Sequence, residues 1–241
     1  MLKAVFFDAA GTLFEAREPV GHTYARVARQ HGVIADDAVV SAGFRRAFAS
    51  MPGLAFGPGR SAEEIRRLER EWWYRLVRRS FEGLGEFDSF DAFFDELFAY
   101  FGDPASWVAL PQAHLVLQRL KDTNLKLGII SNFDHRLYRI LDGLDLGPFF
   151  DTVTISSEAG YAKPARQIFA IALSALGVTG AEAVHIGDSE HMDIGGAQAA
   201  GLGAILIDTG TNRAPAIDRG VARVSSLAQM IEVMRLLRFT E

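Results

Sequence analysis

The stretch AVFFDAAGT, residues 4–12, decides how the chain is read. Ala4 to Phe7 carries an apolar side chain at every position, so neither face of a strand built from it suits water. Such a strand belongs inside a sheet that is covered on both sides. Asp8 ends the run, and Gly11 and Thr12 follow as turn residues. Working outward, four more apolar runs are predicted as strands, near 125–130, 152–155, 183–186 and 204–207. Helical patterns fall between them, near 112–121, 135–141, 165–176 and 194–200. Strands alternating with helices predict an α/β fold: a doubly wound, mainly parallel, Rossmann-like sheet.

One long insertion interrupts that alternation just after the first strand. Residues 14–108 hold 17 of the 26 aromatic residues, 12 arginines and no lysine, with no β-branched run long enough for a buried strand. They predict an inserted α-helical cap domain, leaving 1–13 and 109–241 as the core domain. Two helices are predicted near 20–31 and 36–49. Ser61 followed by Glu64 reads as a capping box opening a third, whose apolar face is Ile65, Leu68, Trp72 and Leu76. Phe90, Phe93, Phe94, Leu97, Phe98 and Phe101 form the face of a fourth, opposite Asp91, Asp95 and Glu96. The aromatic stripe predicts packing between helices rather than a ligand site. Arg66, Arg67, Arg70, Arg75, Arg78 and Arg79, interleaved with Glu63, Glu64, Glu69 and Glu71, read as ion pairs on a solvated face. Trp72-Trp73-Tyr74 places one ring off the buried face, where it could mark a contact with another molecule.

Composition narrows the function classes. With 241 residues, 49% of them hydrophobic, the chain can bury a real core, and with no cysteine it cannot use a thiolate nucleophile or a cysteine-ligated metal. A formal net charge of −5 favours neither nucleic acid nor an anionic membrane as partner. The apolar run near the N-terminus is too short for a secretory signal, and no stretch approaches the length of a membrane span. The expectation is a soluble cytoplasmic protein.

In a sheet of this kind ligands collect at the carboxyl ends of the strands. Asp8 ends one run, Ser131-Asn132 another, and Gly187-Asp188-Ser189 a further one, with Asp193 five residues beyond Asp188; Lys163-Pro164 opens a helix. Singly, each has a plain reading as a turn, cap or solvated residue. Together they suit phosphoryl chemistry. Asp8 and Asp188, on neighbouring strand ends, would offer two carboxylates to a hard cation such as Mg2+. A carboxylate can also act as a covalent nucleophile. Thr12 or Ser131 hydroxyls could hold phosphoryl oxygens while Lys163 balances charge.

Asp8-x-x-Gly11-Thr12, Ser131-Asn132, Lys163-Pro164 and Gly187-Asp188-Ser189 with Asp193 stand in the order of the four motifs of the haloacid dehalogenase-like superfamily. The chain resembles that superfamily over its whole length, and the insertion sits where the superfamily carries a helical cap. The resemblance implies that Asp8 is the nucleophile and a Mg2+ ligand, with the backbone carbonyl of Ala10 and the side chain of Asp188 as further ligands and Asp193 in support. It implies that Ser131 binds the phosphoryl group beside Asn132, that Lys163 orients Asp8, and that cap closure excludes water. Arg17, at the hinge into the cap, is the cap arginine expected to meet an anionic substrate. The expected partner is a phosphorylated small molecule.

Position 10 departs from the pattern. Superfamily phosphatases carry a second Asp there, which protonates the leaving group, and this chain has Ala10. The first reading is therefore a phosphohydrolase or phosphotransferase restricted to leaving groups that need little protonation, or one in which His22 or Glu15 replaces the acid. The second is a catalytically impaired binding or regulatory protein. The third, 2-haloacid dehalogenase chemistry, fits less well, since such enzymes carry an aromatic residue at that position and lack the Gly-Asp pair. A Schiff-base mechanism of the phosphonoacetaldehyde hydrolase type needs a cap lysine, and there is none.

Overall fold

The first apolar run forms β1 (Ala4–Phe7), in the interior of the main sheet. The computed structural model describes residues 1–208, 216–218 and 221–238. After β1 come β2 (Phe14–Ala16), four helices, α1 (Val20–Gln30), α2 (Asp37–Ser50), α3 (Ala62–Ser80) and α4 (Phe90–Tyr100), and then β3 (Trp107–Ala109). The chain continues through α5 (Ala113–Lys121), β4 (Lys126–Ser131), α6 (Arg136–Gly143), β5 (Thr152–Ile155), α7 (Ser156–Ala159), α8 (Arg166–Leu176) and β6 (Ala183–Gly187). A single wide turn, Glu190–Gly195, leads into α9 (Gly196–Ala199), followed by β7 (Gly203–Ile207), β8 (Ala216–Asp218), β9 (Val221–Val224) and α10 (Leu227–Arg238).

The sheet order is β5-β4-β1-β6-β7-β9-β8, parallel throughout except for the antiparallel β8–β9 edge. Val5 and Phe7 point into one buried cluster with Leu127 and Ile129; Ala4 and Phe6 point into another with Phe169 and Ile168. Strand alternation thus explains why every position of 4–7 is apolar. From β1 the chain winds first to β4 and β5 on one side, then returns to β6 and β7 on the other. The carboxyl end of β1 is therefore the switch point at which a ligand crevice opens.

Three of the four inserted helices, α2, α3 and α4, start on side-chain caps. Asp36 accepts from the Ala38 amide at 2.8 Å, Ser61 from Glu64 at 3.2 Å and Ser89 from Ala92 at 3.3 Å. The Glu64 carboxylate, however, turns to Arg60 instead of closing the box. Ile65, Trp72 and Leu76 are buried and Leu68 half-buried, as the spacing requires, while Phe93, Phe94 and Leu97 pack with Tyr24 and Phe81. Three readings of the cap need correction. β2 and β3 pair antiparallel at the root of the insertion, too short at three residues each to show a pattern. Glu69 is not on the solvated face: it is fully buried and accepts from the backbone and ring of His135. Nor is Trp73 a ring left wholly off the buried face: it is half-buried, and its indole donates to Asp134 of the core at 2.6 Å. Among the described residues, no helix is long and apolar enough to cross a membrane.

Candidate active site

β1 and β6 are hydrogen-bonded neighbours, with the Asp8 amide donating to the Ile186 carbonyl at 2.8 Å, so Asp8 and Asp188 emerge side by side. Oxygens of Asp8, Asp188 and Asp193 all lie within 4.8 Å of one another. The backbone makes room for this crowding. Gly11, at φ +91°, sits where a Cβ would come within 2.6 Å of Asp188 Oδ2, and a Cβ on Gly187 would lie 2.2 Å from Asp193 Cγ. Past Asp8 the chain folds back so that the amides of Thr12 and Leu13 both donate to the carbonyl of Ala9 rather than that of Ala10.

Lys163 is the cation of the cluster. Its Nζ donates to Asp8 Oδ1 and Asp193 Oδ1, each at 2.6 Å, from a position only 4% exposed. Burial alone would lower the lysine pKa, but the two carboxylates outweigh it and hold the group above its ordinary range. Asp193 takes three more constraints: the Ser189 amide donates to Oδ2 at 3.0 Å, His185 Nε2 lies 2.9 Å from Oδ1, and Gly187 presses close. Burial pushes Asp193 up, yet the His185 hydrogen bond and the Lys163 charge dominate and hold it below the usual carboxylate range. With its oxygens so engaged, Asp193 anchors Lys163 rather than standing free for a ligand. Asp188 is the opposite case. Partial desolvation, then the Asp8 and Asp193 charges, raise its pKa to about 6.

The carboxylates therefore exceed the one lysine that answers them. Asp8 and Asp193 are buried and Asp188 opens to solvent beside them; negative charge crowded in this way is relieved when a cation joins it, and carboxylate oxygens are the donors that Mg2+ selects. The residues present fit such an ion: Asp8, Asp188 and the Ala10 carbonyl would hold it, with Asp193 behind.

Ser131 ends β4, buried, with Ile155 as its partner on β5. Other expected contacts are spent elsewhere. The Asn132 side chain clamps the Lys163 backbone, accepting from its amide at 2.7 Å and donating to its carbonyl at 3.0 Å, so it orients Lys163 and is not free for substrate. Thr12 is fully buried, its hydroxyl sealed from solvent without a partner among the described residues, and so presents nothing to an incoming phosphoryl group. Arg17 donates to the carbonyls of Ala105 and Trp107 at 2.9 and 3.2 Å, bracing the hinge instead of meeting an anion. His22 pairs with Asp37 at 2.7 Å on the exposed side of the cap, and Glu15 is exposed on β2.

Sequence reasoning passed over His185 as a strand residue. It is fully buried in β6, and burial, its largest influence, lowers its pKa, so it meets Asp193 as a neutral ring donating through Nε2. The signal was a lone imidazole inside an otherwise apolar run, which needs a buried partner. Asp134 and Arg136 were passed over too. They form a buried ion pair at 2.6 Å, and the guanidinium lies 4.0 Å from the Phe98 ring of the cap.

Lys163→Met is expected to destabilise the metal-free fold by roughly 3–5 kcal/mol, because it leaves Asp8 and Asp193 buried without their shared cation. Urea unfolding in chelator measures this; an unchanged midpoint would show that the carboxylates are already solvated or protonated.

A family model described as "Hydrolase: haloacid dehalogenase-like hydrolase" matches residues 2–201. Haloacid dehalogenase-like hydrolase domain-containing protein 3 of Mus musculus is 34% identical over 212 residues, covering 86% of this chain and 82% of that one. Two solved structures share the fold. A HAD phosphatase from Thermococcus onnurineus has a TM-score of 0.65 at 24% identity, over 97% of this chain and 98% of that one. The L-2-haloacid dehalogenase from Xanthobacter autotrophicus has a TM-score of 0.70 at 20% identity, over 100% of both chains. Phosphatase and dehalogenase thus stand on one scaffold, and the family match extends from β1 to the end of α9. The chain belongs to the haloacid dehalogenase-like hydrolase family.

Proposed function

We propose that the protein is a magnesium-dependent phosphohydrolase or phosphotransferase in which Asp8 carries the phosphoryl group. The observation that carries this reading is Lys163, held by Asn132 and Asp193 so that its Nζ fixes one oxygen of Asp8 at 2.6 Å. A carboxylate fixed through one oxygen presents the other in a set direction, which is what a covalent nucleophile needs. Bound Mg2+ would supply positive charge to the phosphoryl oxygens.

An Asp8 oxygen forms a bond to phosphorus as the bond from phosphorus to the leaving oxygen breaks, and the leaving group departs with the electron pair. Water, or another acceptor hydroxyl, then attacks phosphorus as its bond to the Asp8 oxygen breaks; the carboxylate is restored and the attacking group's proton leaves on the phosphate product. Lys163 holds Asp8 in position through its hydrogen bond to Oδ1, and Ser131 holds the phosphoryl group. Ala10 has no proton to give, so the leaving group must be stable as an anion.

The metal can be tested through pH. Below about pH 6 a proton holds the Asp188 site. A carboxyl with a raised folded pKa binds its proton more tightly folded than unfolded. Its contribution to stability is therefore present at acid pH and is lost as the pH rises from about 4 through about 6. Mg2+ competes with that proton. At a hundredfold excess over Kd, Mg2+ is expected to add about 2.7 kcal/mol at pH 7.5 and markedly less at pH 5. Equal increments at both pH values, read by thermal unfolding with and without chelator, would remove Asp188 from the ligand set. The direct test is Mg2+-dependent hydrolysis of phenyl phosphate and acetyl phosphate. Metal binding without turnover of either would favour the binding-protein reading that Ala10 allows.

A further inference from the structure

Between the cap and the core lies a cavity of about 130 Å3 walled by aromatic rings, among them Tyr24, Trp73, Phe98, Phe101, Trp107 and Phe133. Two of its lining residues, Phe133 and Trp107, link it to the site through a chain of contacts. Phe133 follows Ser131-Asn132 on the same strand end and touches Trp107, with ring centroids 6.0 Å apart. Trp107 stands edge-on to Phe14 at 5.4 Å, and the Phe14 carbonyl accepts from the Gly11 amide in the turn after Asp8.

The size is that of one six-membered ring: an apolar cavity of about 150 Å3 stays dry and takes up benzene. The chemistry of the walls narrows it further. Four lining residues carry polar side-chain atoms, and three of these are already engaged. Trp73 donates to Asp134 at 2.6 Å, Trp107 to the Phe101 carbonyl at 3.2 Å, and Arg136 is neutralised by Asp134. Only the Tyr24 hydroxyl remains on the polar side of the lining. A sugar or nucleoside would bury several hydroxyls without partners here, at a cost that excludes it. An uncharged aromatic ring would not.

We infer that this cavity holds the ring of an aryl leaving group, which makes the substrate a phosphate monoester of a phenol. This rests on the phosphohydrolase reading above and explains Ala10 within it. When the bond from phosphorus to the aryl oxygen breaks, the electron pair leaves on a phenolate, whose conjugate acid has a pKa of about 10. An alkoxide's is nearer that of water, about 16. A phenolate departs without a proton donor at position 10.

The test fills the cavity. Val20→Phe is expected to lower the ratio of kcat/KM for phenyl phosphate to that for acetyl phosphate at least about tenfold, and to abolish binding of 4-fluorophenol followed by its 19F resonance. Leu97→Phe, from another helix, repeats the test should Val20→Phe fail to fold. An unchanged ratio with acetyl phosphate still turned over would overturn the aryl assignment and leave the phosphohydrolase standing. Loss of both activities in the wild type would sink the phosphohydrolase reading instead. No 4-fluorophenol binding by the wild type at millimolar concentration overturns the inference whichever way turnover falls.

Discussion

Asp8→Asn is expected to reduce magnesium-dependent phosphate-ester turnover by at least about 10,000-fold while leaving the fold intact. The size of the loss follows from the role: an amide cannot attack phosphorus, and removing a covalent nucleophile costs nearly all of the chemistry its site performs. The fold survives for a separate reason. Lys163 keeps Asp193 as its buried partner, and removing one negative charge from a cluster that has too many relieves repulsion. Unfolding by heat or urea should therefore show the variant at least as stable as the wild type in chelator. Phenyl phosphate and acetyl phosphate, assayed with Mg2+ and with excess chelator, provide the activity. A variant with a native unfolding midpoint and full turnover would show that Asp8 is not the nucleophile, and direct attack on phosphorus by a base-activated water would replace the covalent route.

Ala10→Asp carries the second large effect, in the direction of gain. A positioned general acid contributes roughly 100- to 10,000-fold, and its benefit depends on the leaving group. Ethyl phosphate, whose alkoxide must be protonated as it departs, is expected to gain about 100-fold or more. Phenyl phosphate should gain little, because its leaving group is already a competent anion. The measurement is the ratio of the two gains, which removes any general effect of a fourth carboxyl near the metal. Equal gains on both substrates would mean that position 10 acts on the metal or the nucleophile rather than on the leaving group. No gain on either would mean that another residue already supplies the proton.

Long apolar strands and long amphipathic helices were legible because their patterns repeat. β1 and β5 begin and end where their apolar runs do, and the residues that three- and four-residue spacing lined up on α3 and α4 are buried or half-buried. β2 and β3 were not legible, since three residues hold too little alternation to register. Glu69 misled for a different reason. Its neighbours Arg67 and Glu71 do pair on the surface, but its own partner, His135, lies 66 residues away and leaves no local trace. The site divided in the same way. Asp8 and Asp188 are brought together by strand ends that the sheet order makes adjacent, and Lys163, from the segment before α8, and Asp193, from the turn after β6, close on them. The uses of Asn132 and Arg17 depend on which carbonyl or amide happens to face them, a matter of distance and not of spacing.

Residues 132–136 join the two halves of the molecule like a crankshaft. At one end Asn132 grips the backbone of Lys163; at the other, Asp134 takes the Trp73 indole, His135 meets Glu69, and Arg136 reaches the Phe98 carbonyl at 3.3 Å. A lid hung only on its hinge could swing without disturbing the machinery beneath it. This one is geared to it. Lifting the cap uncouples buried charges and pulls on the same short loop that aims Lys163 at Asp8. On the proposed function, the inserted helices would thus share in aligning Asp8, because they hold the loop that holds Lys163.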